Sequence, residues 1–406
     1  MFNKKYKNEI FKGITRNVLV LGLVSLFTDL GSQMVFPLIP LFLTSVLGAG
    51  AYVVGIVEGA AETTASFVKI LSGFWSDKIR RRKPFILFGY ALSSFIKPLF
   101  AFAQAWPFVI FIRVIERIGK GIRNAPRDAI IAESVDENVR GKVYGFHRAM
   151  DGIGSVLGAV LAFILLPILG FRNLFLFAFV PSIIAVFVII FIKESKDKNK
   201  LVKKIDQDNI QKISFKDFPK KLRWFIVISG IFALSNFGYA FLLLRAKSMG
   251  FTDQTAILLY ALFYIAYVIS AIPSGMLSDK IGRKPLLVAA YVIFLITSFG
   301  LIFVSNIYSI TLFFITYGIF YAMIDGVQRA FVADLAPKHL KATALGTFHM
   351  AIGLAALPGG LAAGLLWDKI GPTATFIYAI ILSLISLLLL IFVIRKDVFS
   401  DNLKEV

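Results

Sequence analysis

The sequence predicts an all-α membrane protein: twelve transmembrane helices forming two pseudo-symmetric six-helix bundles. Three observations carry this. The 406 residues are 58% hydrophobic with 41 Phe, and the mean hydropathy is +0.79, whereas a soluble domain is about 45–50% apolar. Apolar runs of bilayer-crossing length, about 17–25 residues, recur along the whole chain. A short basic segment, Gly73-Phe-Trp-Ser-Asp77-Lys78-Ile-Arg80-Arg81-Arg82-Lys83-Pro84, returns half a chain later as Gly275-Met-Leu-Ser-Asp279-Lys280-Ile-Gly282-Arg283-Lys284-Pro285. A repeat at that spacing marks a duplication, and a duplication decides the fold before any single element does.

Taken in order, the spans are 17–47, 52–75, 85–104, 107–133, 141–168 and 172–193, then 223–247, 254–277, 286–305, 308–335, 341–367 and 373–395. Each is read as a helix, because irregular backbone cannot face lipid. The domain reading is 1–193 for the N-terminal bundle, 194–222 for a cytoplasmic linker and 223–406 for the C-terminal bundle. The linker holds nine Lys and no long apolar run. Its end, from Ile213 to Leu222, fits either an amphipathic surface helix or a solvated connector. Met1 to Arg16 is polar and basic, but the apolar run behind it continues past Asp29 to Leu47 with no small-residue cleavage pattern. It therefore reads as an uncleaved first span and not as a signal peptide.

Orientation follows from Lys and Arg. One set of connectors carries Lys4, Lys5, Lys7, Lys12 and Arg16, the Lys78–Lys83 cluster, Arg140 and Lys142, the linker, the Lys280–Lys284 cluster, and Lys338 and Lys341. The opposite set carries only Arg172, Lys247 and Lys369. Both termini are expected in the cytoplasm. The net charge of +20 does not indicate a nucleic-acid partner, since the basic residues sit in short connectors and not on one soluble face. Cys is absent, which excludes disulfides, thiolate metal sites and a Cys nucleophile.

The repeat extends into the spans. Ser25-Leu-Phe-Thr-Asp29-Leu-Gly31 parallels Phe232-Ala-Leu-Ser-Asn236-Phe-Gly238, and Gly145-Phe-His147 parallels Gly346-Thr-Phe-His349. Two halves in the same orientation place an axis along the membrane normal and a site between the halves.

The two basic turns resemble the signature of the major facilitator superfamily, Gly-x-x-x-Asp-Arg/Lys-x-Gly-Arg-Arg/Lys, which follows the second span. Gly275, Asp279, Lys280, Gly282, Arg283 and Lys284 match it in full. The first copy has Arg80 where the Gly should stand. The resemblance covers the whole chain and implies a secondary transporter working by alternating access. It also implies that Gly73, Asp77, Lys78, Arg81, Gly275, Asp279, Lys280 and Arg283 latch a cytoplasmic gate, with Arg127 and Asp128 as span-4 partners. The Gly is expected to let two helices approach closely. Two finer signatures depart. Span 4 reads Arg113-Val-Ile-Glu116-Arg117-Ile-Gly119 in place of Arg-x-x-Gln-Gly-x-Gly. Span 5 has Gly154-Ser-Val-Leu-Gly158 without the Pro of the drug:proton antiporter motif, which weakens that assignment.

Ionisable residues inside spans cost about 2.5–3.5 kcal/mol each on insertion scales unless paired or wetted, so they are functional candidates by default. Asp29 lies mid-span, ahead of Pro37 and Pro40, which should bend the helix. Glu58 and Glu62 share one helix face at i, i+4. Arg113, Glu116, Lys120, Arg123 and Arg127 form one polar stripe, with Arg117 beside it. Span 5 adds His147, Arg148 and Asp151, and Lys69 and Lys97 stand apart. The second half is sparse, with Arg245, Asp325, Arg329, Asp334 and His349. Substrate and proton binding are therefore assigned to Asp29, Glu58, Glu62, Arg113, Glu116, Arg117, Arg148, Asp151, Asp325 and Arg329. Phe and Tyr of the second half are expected to supply the facing wall. The alternative role for each charge is gate, packing or mutual neutralisation.

No P-loop, His-Glu-x-x-His pair or nucleophile elbow is present. The expected protein is a non-enzymatic, cofactor-free monomer of the inner or plasma membrane. It moves a small anionic or zwitterionic solute coupled to protons. Export of a metal or its chelate, multidrug efflux, and a non-transporting membrane sensor remain as alternatives.

Overall fold

The computed structural model describes residues 15–79, 81–135, 140–192, 215–337 and 340–394, without the side chains at 77, 132, 133, 140–142 and 342. In chain order the rods are α1 (Arg16–Val46), α2 (Ala51–Ile79), α3 (Lys83–Phe102), α4 (Trp106–Glu133), α5 (140–169), α6 (171–189), α7 (Lys220–Ser248), α8 (Asp253–Ile281), α9 (Arg283–Phe303), α10 (Ile307–Leu335), α11 (Lys341–Lys369) and α12 (Pro372–Val393). No strand occurs among the described residues.

Among the described residues, nine stretches are long and apolar enough to cross a membrane. One of them, Val143–Ile189, holds both α5 and α6. It breaks at Gly170, whose φ of 68° lies where only Gly sits without strain. α2 and α4 are as long as the others but fall outside that set. These are the helices that carry Glu58, Glu62 and Lys69, and Arg113 through Arg127. Their polarity is affordable only if they stand inside the bundle. α1 bends as its prolines foretell: the regular helix stops at Val35 and resumes at Leu38, because Pro37 lacks the N–H that would continue the ladder.

The halves repeat one packing scheme. α1 lies on α5 and α6, α2 and α3 lie on α4, and α3 also meets α6; α7 lies on α11 and α12, α8 and α9 lie on α10, and α9 also meets α12. The halves join through α2 with α11 and α5 with α8, which are equivalent pairs under the duplication. Large apolar residues such as Ile168, 72% exposed, and Ile269, Phe303 and Phe392, each 68% exposed, cover the outside. That surface suits lipid and not water. The start of α7 differs slightly from the sequence reading. Phe218 is buried in the main core and the helix begins at Lys220, just after Pro219, so the last linker residues are tied down.

The α2–α11 seam is made of small residues. A Cβ on Gly55 would collide with the backbone of Gly360, and one on Gly360 with that of Gly55; a Cβ on Gly59 would come 2.7 Å from Leu357 Cα. Gly364 meets Ala51 and Tyr52, and Gly353 meets Ser66. Gly55-Ile-Val-Glu-Gly59 and Gly360-Leu-Ala-Ala-Gly364 are two Gly-x-x-x-Gly runs facing one another, a pattern that lets helix backbones touch. Overpacking such a seam costs about 1–3 kcal/mol. Gly360→Ala should therefore lower the melting temperature of the purified protein. Gly346→Ala, on the same helix with open space around it, should leave the melting temperature unchanged or raise it.

Candidate functional site

The centre of the N-terminal half is Arg113. Its side chain has no exposed surface. Nη2 donates to Glu58 Oε2 of α2 at 3.0 Å, and Nη1 donates to Glu116 Oε2 one helical turn on at 3.2 Å. Arg117 approaches the same Glu116 oxygen at 3.5 Å. Phe36 of α1 lies beneath both guanidinium groups, 4.1 Å from that of Arg113 and 4.9 Å from that of Arg117. A charge removed from water needs a counter-charge and hydrogen bonds in place. Arg113 has both, while Glu116 Oε1 and the Nε atoms of Arg113 and Arg117 are buried without a hydrogen-bond partner. Glu58 differs from Glu116 in keeping 20% of its side chain exposed.

Glu58 is also the link to the other half. Tyr239 of α7 donates to its Oε2 at 3.3 Å. Above it, Gln33 of α1 accepts from Tyr260 and donates to Tyr264 of α8, both at 2.6 Å. Tyr260, Tyr264 and Tyr267 run along α8 with ring centroids 5.4 and 5.7 Å apart, and Tyr267 continues to Tyr321 of α10 at 5.4 Å. The wall opposite the charges is thus aromatic, with a hydroxyl on most of its rings.

The hydrogen bonds between the halves among the described residues follow one axial pattern. From one end they run Ser45 to Asp253, Ala51 and Tyr52 to Asp368, Gln33 to Tyr260 and Tyr264, Glu58 to Tyr239, and Thr63 to the Gly353 carbonyl. They stop at mid-helix. Toward the other end, where the basic turns lie, charged groups crowd together without bonding across. Asp29, Glu62, Lys69, Lys120 and His349 form no ion pair or hydrogen bond among the described residues, although Lys120 neighbours Glu62, Glu116 and Asp29, and Lys69 neighbours Asp128 and Arg329. Arg148 is 55% exposed and 3.9 Å from Asp151, whose closer partner is His147 Nδ1 at 3.5 Å. Asp325 pairs with Arg329 at 2.6 Å and accepts from Tyr267 at 3.4 Å. Asp29, Lys69, Lys120 and His349 are partly exposed and Glu62 is exposed.

This architecture has known counterparts. The family model of the Major Facilitator Superfamily matches residues 21–243 and 223–405. The chain belongs to the major facilitator superfamily. It is 40% identical over 401 residues to an uncharacterised MFS-type transporter of Methanocaldococcus jannaschii, covering 96% of this chain and 98% of that one. Over 141 residues, 35% of each chain, it is 32% identical to a multidrug resistance protein of Aeromonas hydrophila. Its fold matches a point mutant of the nucleoside transporter NupG with a TM-score of 0.75 at 16% identity, covering 92% of this chain and 98% of that one. It also matches an inward-facing, unoccupied bacterial homologue of the lysosomal transporter Spinster, with a TM-score of 0.70 at 13% identity, covering 96% and 95%.

Within the superfamily signature, the second turn is well defined. Gly282, φ 94°, ends α8 and starts α9 in a conformation reserved for Gly. Arg283 pairs with Asp279 at 2.5 Å and with Asp334 at the end of α10 at 3.3 Å, and also meets Ser278. Lys280, Lys78 and Arg81 are exposed. The Asp77 side chain lies outside the described residues, and so does Arg80. Arg127 bonds its neighbour Asp128 at 2.9 Å. Gly73 makes the expected close approach, 3.4 Å from its would-be Cβ to Ala125 of α4, but Gly275 faces open space. The close α8–α10 approach lies further along, at Gly318 of α10, whose would-be Cβ would meet the Phe263 carbonyl of α8, much as that of Gly121 on α4 would meet Val68 of α2.

Several basic residues read from sequence as topology signals also hold helix ends. Lys83 and Lys284, equivalent under the repeat, each donate to the last carbonyls of the final helix of their half: Lys83 to Ile190 and Ile192, at 3.0 and 2.7 Å, and Lys284 to Ile391, at 3.0 Å, and Ile394. Arg172 donates to the Ala101 and Ala103 carbonyls after α3, and Arg245 donates to the Leu301 carbonyl at the end of α9. A cation at a helix C-terminus satisfies orphan carbonyls and the helix dipole together. The span-4 stripe is also divided. Arg123 turns away to α3, bonding Ser93 and lying 4.3 Å over the Tyr90 ring. Lys97 is fully buried between Ser32 at 2.8 Å and Ser182 at 3.2 Å.

Three functional elements were missed in the sequence reading. The paired Gly-x-x-x-Gly runs were visible there. Asp368 and Gln33 were not, since neither has local context that sets it apart. Among the described residues no three His, Asp or Glu side chains converge as a metal site. Removing one member of a buried ion group costs about 3–5 kcal/mol, because the other is left unpaired. Arg113→Gln should therefore lower thermal stability strongly. Glu116→Gln in the same chain should recover part of that loss, a non-additivity read by a double-mutant cycle in melting temperature.

Proposed function

We propose that this chain is a secondary active transporter of the inner or plasma membrane that moves a small ionised solute by alternating access, coupled to protons through Glu58. One observation carries the reading: hydrogen bonds between the halves occupy one end of the bundle and its middle, and the other end has none among the described residues. With both termini in the cytoplasm, that is a state closed outside and open inside. Alternation requires the closed end to part and the basic-turn end to meet.

The closed end is held by weak, separable contacts. Asp368 near the end of α11 accepts from the first N–H groups of α2, Ala51 at 2.9 Å and Tyr52 at 2.8 Å. A carboxylate at a helix N-terminus contributes about 0.3–1 kcal/mol at an exposed site, enough to bias a two-state equilibrium and not enough to lock it.

Glu58 suits the coupling role because, among the described mid-helix carboxylates, it is the one bonded to both halves, to Arg113 on one side and Tyr239 on the other. Protonation would release Arg113 and weaken the link to α7 in one event. Glu116, clamped between two Arg and without exposed surface, is less suited to exchange a proton. A multidrug exporter is the second reading, favoured by the broad tyrosine wall and by the named activity of partial relatives. Among the described residues no ligand set supports cation-stimulated metal flux.

The absence of Cys makes the test clean. Spin labels at Val46→Cys and Ile370→Cys, both exposed at the closed end, should report a short separation. Asp368→Asn should populate a second, longer distance; an unchanged distribution would remove Asp368 from the gate. In proteoliposomes loaded with a pH dye, Glu58→Gln should abolish accumulation driven by a pH gradient while leaving solute exchange. Retained gradient-driven uptake would exclude Glu58 as the proton carrier.

A further inference from the structure

At the centre of the site, Arg117 on α4 lacks a hydrogen bond that its burial demands, and Lys120 beside it is unpaired among the described residues. Arg117 is 6% exposed, yet its Nε has no partner, and its one ion pair is to Glu116 at 3.5 Å. That carboxylate oxygen is already bonded by Arg113 at 3.2 Å. Lys120 stands one turn further on the same helix, half-buried, and forms no ion pair or hydrogen bond among the described residues. Two like charges side by side, both short of acceptors, form a place where an anion is stabilised.

A carboxylate faces this pair. Glu62 of α2 lies one turn beyond Glu58, as Arg117 lies one turn beyond the Arg113 that Glu58 bonds, and α2 and α4 run parallel; Glu62 is exposed and closes no ion pair among the described residues. Glu62 also lies near Tyr321, whose ring packs against Phe263 and Tyr267 of α8 and is 37% exposed. An acid and a base held apart, with an aromatic surface from the other half beside them, match a molecule that carries both charges and an apolar body.

We infer that Arg117 and Lys120 take the carboxylate, and Glu62 the ammonium, of a zwitterionic solute whose body rests on Tyr321. The ligand class is the amino acid or short peptide type. This deepens the transport reading and rests on it for its use, but binding is measured without transport.

The test uses the purified full-length chain and thermal shift backed by calorimetry. The probes are L-phenylalanine, glycyl-phenylalanine and glycyl-glycyl-phenylalanine, which set the two charges at increasing separation. Each is compared with its methyl ester and its N-acetyl form. At least one free zwitterion should bind, with both capped forms weaker by about tenfold or more, the scale of one lost charge-assisted hydrogen bond. Glu62→Gln should erase the preference for the zwitterion over the N-acetyl form. Lys120→Gln should erase the preference over the methyl ester. Equal binding of capped and free forms, an unchanged preference in Glu62→Gln, or no binding by any probe overturns the inference. The spin-label distances at the closed end need no solute, so they still decide the transport reading in each of those cases.

Discussion

A guanidinium with no exposed surface inside a membrane bundle has to be neutralised where it stands, and Arg113 sets that requirement for this protein. Meeting it brings Glu58 from α2 and Glu116 from α4 to one point, with the Phe36 ring beneath them. The charged faces of α2 and α4 therefore cannot face lipid, while Phe67, Phe74 and Trp75 of α2 and Phe111 of α4 are exposed on their other faces. Because Glu58 keeps one edge in solvent and one bond to Tyr239, the element that neutralises Arg113 is also the element that reaches the other half. Electrostatic necessity and communication between the halves share one side chain.

The glycine seam between α2 and α11 works with this centre. Helices that touch backbone to backbone along Gly55, Gly59, Gly360 and Gly364 have little side-chain interlock. Contacts placed along it are short polar ones, a helix-start cap from Asp368 and a hydroxyl–carbonyl bond from Thr63. A seam of interdigitated large side chains would have been stronger and less reversible. Duplication supplied two equivalent joints between the halves, α2 with α11 and α5 with α8.

Equivalent positions have also diverged in chemistry. Asp29 sits in continuous helix, whereas its counterpart Asn236 stands at a break in α7, accepting from Gly238 N at 3.1 Å and Tyr317 at 2.7 Å. The N-terminal half concentrates charge, and the C-terminal half presents Tyr239, Tyr260, Tyr264, Tyr267 and Tyr321. One half offers ions and the other offers aromatic surface with hydroxyls, which is how two copies of one bundle can make an asymmetric site.

The helices, the duplication and the family were legible in the chain. A bilayer-length apolar run, a repeated basic turn and alternating connector charge are one-dimensional consequences of hydrophobic transfer, gene doubling and membrane insertion. The roster of intramembrane charges was legible for the same reason, since each departs from an otherwise apolar run. Which of them would pair was not: Arg113 and Glu116 are neighbours in sequence, but Glu58, Tyr239 and Phe36 come from three other helices, and nothing local distinguishes paired Glu58 from unpaired Glu62 one turn away. Likewise Asp368 becomes a cap only once α2 begins beside it. The sequence determined what each helix carries, because that depends on local polarity. The tertiary structure decided which of the described charges neutralise each other and which end carries the hydrogen bonds between the halves, because those depend on distances between helices far apart in the chain.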